Sequence, residues 1–279
     1  MLSVVLLTAC TAAVALSAPT SAVDQSTNWS GYTITGDGST ETAADPTMTF
    51  TDVTGTWKQP KATCTAGDPN SAAVWVGLGG YSTEAPALEQ VGTEVDCAVT
   101  GQATYSVWYE IVPQPSKPVK LKILPGDTIT ASVYVTNGTD VLVQIKNRTR
   151  HTSFTKPLTV ASPDLTSAEW ITEAPSDCSE SGRCSTTDLA NFGSVTFTKI
   201  AATGNGQAGT LRGNGWGYTA FQLIPDSRRG RFFGFGAPPS STAGATPVSP
   251  TPDCTAASCS FTVKFVANAN AQATQPNSA

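Results

Sequence analysis

Four short segments of the 279-residue chain combine tryptophan, glycine and carboxylates in alternations that suit a strand. Successive side chains of a strand point to opposite faces. In 74–80, Val74, Val76 and Leu78 share one face and Trp75, Gly77 and Gly79 the other. In 88–95, Val91, Thr93 and Val95 oppose Leu88, Gln90, Gly92 and Glu94. In 105–111, Tyr105, Val107, Tyr109 and Ile111 make a core face, opposite Ser106, Trp108 and Glu110. In 168–173, Glu169, Ile171 and Glu173 oppose Ala168, Trp170 and Thr172. A plain solvated face would prefer Thr, Ser and Lys. Tryptophan beside acids, with glycine leaving room, is how a sheet lines a substrate cleft. On pattern alone, an ordinary exposed face with scattered tryptophan remains the alternative.

Inventory narrows the chemistry. A Ser-His-Asp triad needs a histidine, and the single one, His151, sits in the basic, turn-like stretch Arg148-Thr149-Arg150-His151 and reads as surface. A cysteine nucleophile needs a free thiol and a base, whereas the cysteines here are expected to pair. No Gly-x-x-x-x-Gly-Lys loop offers a phosphate cradle, and the Gly-x-Gly combinations lack a following helix. Asn214 to Gly217 reads as a turn. What remains is carboxylate general acid–base catalysis acting through water. No cofactor is called for. A zinc site is the weaker reading of the cysteines, because no Cys-x-x-Cys pair exists and His151 has no partner.

The elements that must position these residues read as strands. No long stretch has helical apolar period; short alternating runs recur between Gly, Pro, Asn and Asp. Ile129, Ala131, Val133 and Val135 alternate with polar neighbours, Asn137-Gly138 supplies a hairpin turn, and Val141, Val143 and Ile145 continue the return strand. Later runs are 194–200, 218–224 and 260–266. Many short strands without helices predict an all-β chain, an antiparallel β-sandwich. The stretch 236–253, rich in Pro, Ser, Thr and Ala, reads as a surface loop, and the tail 269–279 as frayed.

Composition bounds the rest. Charged residues make up 13% of the chain, about half the usual share, and 16 Lys+Arg against 21 Asp+Glu give a net charge of −5. That excludes a cationic nucleic-acid footprint. Residues 1–22 read as a secretory signal ending in Ser17-Ala18-Pro19-Thr20-Ser21-Ala22, with the cut after Ala22. A membrane anchor and a lipoprotein box at Leu7-Thr8-Ala9-Cys10 are the alternatives; against the box, the apolar run continues past Cys10 through Val14 and Leu16. Residues 23–279 are then one exported domain with no stable membrane association. Of the seven cysteines, removal of the signal leaves Cys64, Cys97, Cys178, Cys184, Cys254 and Cys259. An even number in an exported chain implies disulfides. The preferred pairing is Cys178 with Cys184, Cys254 with Cys259, and Cys64 with Cys97, among fifteen possibilities.

At these residues the sequence resembles the glutamic peptidases, the eqolisin family of secreted acid proteases. The resemblance runs from Asn28-Trp29-Ser30-Gly31 to about Val266. It is carried in family order by Gly55-Thr56-Trp57-Lys58-Gln59-Pro60, Ala73-Val74-Trp75-Val76-Gly77, Glu89-Gln90-Val91-Gly92, Val107-Trp108-Tyr109-Glu110, Ala168-Glu169-Trp170-Ile171-Thr172-Glu173 and Phe192-Gly193-Ser194-Val195-Thr196-Phe197. Single motifs of this kind are weak; six in order are strong. The resemblance implies two curved antiparallel sheets of concanavalin-like or jelly-roll type, activity at acid pH, no metal, and a catalytic dyad of Gln90 and Glu173. Trp75, Trp108, Glu110 and Glu169 match positions lining the family's substrate cleft. Gly79 stands where the family often has Asp, Val112 replaces an aromatic, and Pro175 stands near another; these departures bear on subsite preference more than on the reaction. Only Val23 to Thr27 separate the expected cut from Asn28-Trp29, so no sizeable pro-peptide is expected.

The implied mechanism has Glu173, ionised, taking a proton from a water held against Gln90, while the Gln90 amide donates to the forming oxyanion. Glutamine suits that role because its amide stays neutral at any pH. Few basic residues keep charge repulsion low in acid. The expected activity is therefore a secreted, monomeric acid endopeptidase acting on polypeptides. The alternatives are a lectin-like carbohydrate-binding sandwich, whose tryptophans would stack on sugar rings, and a glycoside hydrolase pairing Glu169 or Glu173 with Glu110.

Overall fold

The computed structural model describes residues 22–36, 48–81, 87–178, 184–212, 214, 216–225, 242–248, 254 and 258–269. The described strands, in chain order, are β1 (Ala22–Ser26), β2 (Trp29–Ile34), β3 (Phe50–Lys58), β4 (Asn70–Gly79), β5 (Leu88–Cys97), β6 (Ala103–Val112), β7 (Lys117–Val119), β8 (Thr128–Thr136) and β9 (Asp140–Asn147). They continue as β10 (Thr152–Thr159), β11 (Ala168–Glu173), β12 (Ser176–Cys178), β13 (Cys184–Thr186), β14 (Ser194–Gly204), β15 (Gln207–Gly209), β16 (Tyr218–Leu223), β17 (Gly244–Val248) and β18 (Phe261–Val266).

Alternation of apolar and polar side chains gives each long strand one face that must leave water, and two such sheets cover one another. One layer runs β10-β9-β8-β3-β14, and the other β14-β18-β17-β16-β2-β11-β4-β5-β6-β7. β14 belongs to both: Ser194 to Phe197 pair with β18, and from Thr198 onward it pairs with β3. Its register slips between Thr198 and Ala201, where Lys199 has a φ of 50°. A bulge bends a strand, and this one carries the chain from one layer into the other. β3 and β8 pack across β4, and β8 and β9 across β5. Val53, Trp57, Ile129, Val133 and Ile145 of one layer meet Val74, Val76, Val91, Val107 and Trp170 of the other in the main core. Trp170 Nε1 donates to the Thr54 carbonyl across that core at 2.8 Å. The fold is thus the all-β, mostly antiparallel sandwich that the alternation predicts, with the two curved sheets that the resemblance implies. The exception is β1, which pairs parallel to β16.

The turn at Asn137-Gly138 has φ values of 53° and 73°, the left-handed conformation its residue types favour. His151 is exposed, in a turn, as expected. The disulfides are Cys64–Cys97, Cys178–Cys184 and Cys254–Cys259. Part of the stretch expected to be loop is corrected: Gly244–Val248 is a strand between β16 and β18. Its Pro- and Thr-rich composition lacks a strand's alternation, but both neighbours offer backbone groups that need partners, and pairing overrides weak local preference. The remainder of 236–253 outside 242–248, the tail beyond Ala269 and the signal segment before Ala22 lie outside the described residues. Ala269 itself is buried, and its N–H donates to the Thr242 carbonyl. Among the described residues, no helix is long and apolar enough to cross a membrane.

Candidate active site

The second layer brings the four singled-out segments side by side, with β2 as a fifth. Their registers align three rows on the face turned away from the main core. The first row reads Thr33, Glu169, Gly77, Gln90, Glu110 across β2, β11, β4, β5 and β6. The second reads Gly31, Ile171, Trp75, Gly92, Trp108, and the third Trp29, Glu173, Ala73, Glu94, Ser106. Gln90 and Glu173 therefore share a face, two strands and two rows apart. A second apolar cluster of Trp29, Ala73, Trp75, Tyr81, Leu88, Trp108, Ile171 and Phe221 floors this face. Trp29 meets Trp75 edge-on, with ring centroids 5.0 Å apart. Gly92 permits that arrangement: a Cβ there would lie 2.5 Å from Trp75 Cβ and from the Val74 carbonyl oxygen.

Glu173 is held by both oxygens. Trp75 Nε1 donates to Oε2 at 2.7 Å, and Asn28 Nδ2 donates to Oε1 at 3.1 Å. Burial pushes its carboxyl up to about 8, and the Glu110 carboxyl adds to the rise; donation from Trp75, Asn28 and Trp29 pulls it back. Gln90 is buried and does not bond Glu173 directly. Its Nε2 donates to Glu110 Oε2 at 2.6 Å, and its Oε1 has no partner. Burial raises the Glu110 carboxyl, against the pull of that Gln90 bond and of the Ser116 backbone. Trp108 Nε1 is likewise buried without a partner. Gln90 Oε1 and Trp108 Nε1 are a buried acceptor and a buried donor on neighbouring rows of one face.

The other two cleft candidates are Trp75 and Glu169. Both are fully enclosed. Trp75 still acts on the site through Glu173. Glu169 belongs to a separate group of acids: burial holds its carboxyl well above the ordinary range, and the carboxyls of Asp164 and Glu89 raise it further. Glu89 projects from β5 into the opposite, core side, fully buried and without a side-chain donor to either oxygen. Asp164 accepts from the Gly80 N–H and from Thr166. It lies against Gly79, where a Cβ would stand 2.5 Å from Asp164 Cβ. Asp164, from the loop before β11, thus occupies the space beside Gly79. Glu94, half-buried in the third row, is pushed up to about 8 by burial and by Asp96, with smaller contributions from Glu173 and Asp177.

Sequence reasoning missed the roles of Asn28, Glu94, Glu89 and Asp164. Glu94 was discoverable, because it shares the parity of Gln90. Asn28 and Asp164 gave no local signal, since each acts through a partner more than 80 residues away in sequence. Among the described residues, no group of three or more His, Cys, Asp or Glu has the arrangement to hold a metal ion.

Residues 27–222 match the Peptidase A4 family. The chain belongs to that family, the glutamic peptidases. Aspergillopepsin-2 of Aspergillus niger is 31% identical over 198 residues, a match spanning 66% of each chain. Among solved structures, aspergilloglutamic peptidase of A. niger is similar with a TM-score of 0.52 and 27% identity, over 71% of this chain and 99% of that one. Scytalido-glutamic peptidase with a peptide-based transition-state analogue shares the fold, with a TM-score of 0.62 at 24% identity over 86% of this chain and 98% of that one. An eqolisin, SCP-B, in complex with the tripeptide Ala-Ile-His, shares it at 0.60 and 22% identity, over 86% and 98%. The three rows described above lie wholly within the span that matches the Peptidase A4 family.

Proposed function

We propose that this member of the glutamic peptidases is a secreted endopeptidase in which Gln90 and Glu173 activate a water against a peptide carbonyl, without a metal. One observation carries the reading: Gln90 on β5 and Glu173 on β11 share one face of the sheet on either side of β4, each immobilised by its own partners. The carboxylate of Glu173 takes a proton from the water as the new C–O bond forms. One N–H of the Gln90 amide is held by Glu110; the other is free to donate to the oxyanion. A single donor of this kind contributes about 3–4 kcal/mol to the transition state. Glu173 then returns the proton to the leaving nitrogen as the C–N bond breaks. The partners are polypeptides, bound as a monomeric enzyme binds them, with Trp75, Trp108, Glu110 and Glu169 shaping the cleft. Three disulfides and the leader-like start support export.

The base must be ionised to act, while burial of Glu173 favours its protonated form. Work in acid therefore requires the N–H donors around Glu173 to prevail over that burial, and the acid limb of the kcat/KM profile reads the balance. The reading is tested by digestion of denatured protein at about pH 3 and upward, with Gln90→Ala and Glu173→Gln beside the parent. Each variant is expected to lose nearly all turnover while keeping its circular dichroism and its disulfides. Parent-like turnover in either ends the dyad. A lectin or a glycosidase would leave the polypeptide intact throughout.

A further inference from the structure

A chain of hydrogen bonds reaches Glu173 from the segment that precedes the first strand of the site. Asn28 Nδ2 donates to Glu173 Oε1 at 3.1 Å. An asparagine amide can present either end, and its oxygen turned toward a carboxylate would repel it. Here the choice is made by Ser26. Its Oγ accepts the Trp29 N–H at 2.9 Å and the Asn28 N–H at 3.2 Å, which directs its own proton to Asn28 Oδ1, also at 3.2 Å. With Oδ1 engaged, Nδ2 faces Glu173. Ser26 and Asn28 are both fully buried, so water does not compete for these bonds.

The backbone around this chain is pinned at three places. β1 pairs parallel to β16 over Ala22 to Ser26. The Ile224 N–H donates to the Ser26 carbonyl at 2.7 Å. The Ala174 N–H donates to the Asn28 carbonyl at 2.9 Å, which ties Asn28 to the residue after Glu173.

We propose that Asn28 is a positioning residue for Glu173, locked in its donating orientation by Ser26, and that β1 is therefore a working part of the active site. Asn28 favours the ionised carboxyl, since an N–H donor bonds a charged carboxylate oxygen more strongly than the carbonyl oxygen of the neutral acid. The groups that act on Glu173 from the packed elements are Trp29 on β2, Trp75 on β4, Glu94 on β5 and Glu110 on β6; the two acids oppose its ionisation and the donors favour it. The effect on rate rests on Glu173 being the base; the positioning of Glu173 does not.

The test uses the full chain with Asn28→Ala, Ser26→Ala and Ser26→Thr. Two quantities are read: the 13C carboxyl titration of Glu173, and the pH dependence of kcat and KM. Loss of a hydrogen bond to a charged group corresponds to roughly tenfold or more in the ionisation equilibrium. Asn28→Ala is expected to move the Glu173 titration, and the acid limb of kcat/KM with it, upward by about one pH unit, with KM little changed. Ser26→Ala is expected to move both the same way by less, and Ser26→Thr, which restores the hydroxyl, to return them. An unmoved Glu173 titration in folded Asn28→Ala overturns the proposal. Should that variant fail to fold, an unmoved titration in Ser26→Ala overturns the lock. A titration that moves while the acid limb stays put upholds the positioning and counts against Glu173 as the base.

Discussion

Replacing Glu89 by glutamine should make the fold less sensitive to neutral pH. Glu89 faces the core side of β5 and is fully buried, with no side-chain donor to its carboxyl oxygens. Burial pushes its carboxyl from the ordinary 4.5 to about 8, the Asp164 carboxyl adds to this, and backbone N–H groups oppose it. Between those two values the folded chain keeps a proton that the unfolded chain has released. Stability is then fully present below about pH 4.5 and is lost as pH rises toward about 8, since the folded state binds more protons. Each pH unit in that window is worth about 1.4 kcal/mol. The whole gap amounts to about 5 kcal/mol, of which about 3 kcal/mol is spent by pH 7, against a total stability of about 5–15 kcal/mol. Glu94 and Glu173, also pushed up to about 8, and Asp52, pushed to about 6, slope the same way. Glutamine has the shape of the protonated acid and does not titrate. Denaturant unfolding of the oxidised protein from about pH 4 to about pH 8 is the assay. The parent should lose stability steadily across that range. Glu89→Gln should match it within about 1 kcal/mol at the acid end and exceed it by about 3 kcal/mol at neutrality. A parent curve that is flat or rising, or a variant curve running parallel to it, would refute the reasoning.

Two substitutions around Glu173 should shift activity in opposite directions. Trp75→Phe removes the donor at 2.7 Å, so the acid limb of kcat/KM should move to higher pH. Glu110→Gln removes a carboxyl that opposes ionisation, so the limb should move to lower pH; equal shifts of one sign would contradict the electrostatic account. Gly92→Ala would drive a methyl against the Val74 backbone and Trp75 Cβ. A collision with backbone cannot be relieved by a rotamer change, so a loss of several kcal/mol in unfolding free energy is expected; parent-like stability would show that β4 and β5 can separate without penalty.

Strand parity was legible in the residues themselves. The split of Val74, Val76 and Leu78 from Trp75, and of Val107 from Trp108, is local, because side chains alternate along any strand wherever it lies. The left-handed turn at Asn137-Gly138 and the short disulfide loops at Cys178–Cys184 and Cys254–Cys259 are local in the same sense. The family order of the six motifs added the proposed pairing of Gln90 with Glu173, which parity alone does not supply. Composition misled at Gly244–Val248, where the strand exists because β16 and β18 flank it.

Which strands lie side by side was decided by the tertiary structure. β11 lies beside β4 although some 90 residues separate them, and that adjacency sets Glu173 against Trp75. It also turns Asn28 toward Glu173 and brings Asp164 to the space beside Gly79. Alternation tells each side chain which face it occupies, because it follows from the geometry of a single strand. Its neighbours on that face come from pairing between distant segments, and that is settled only when the two layers close over a common core.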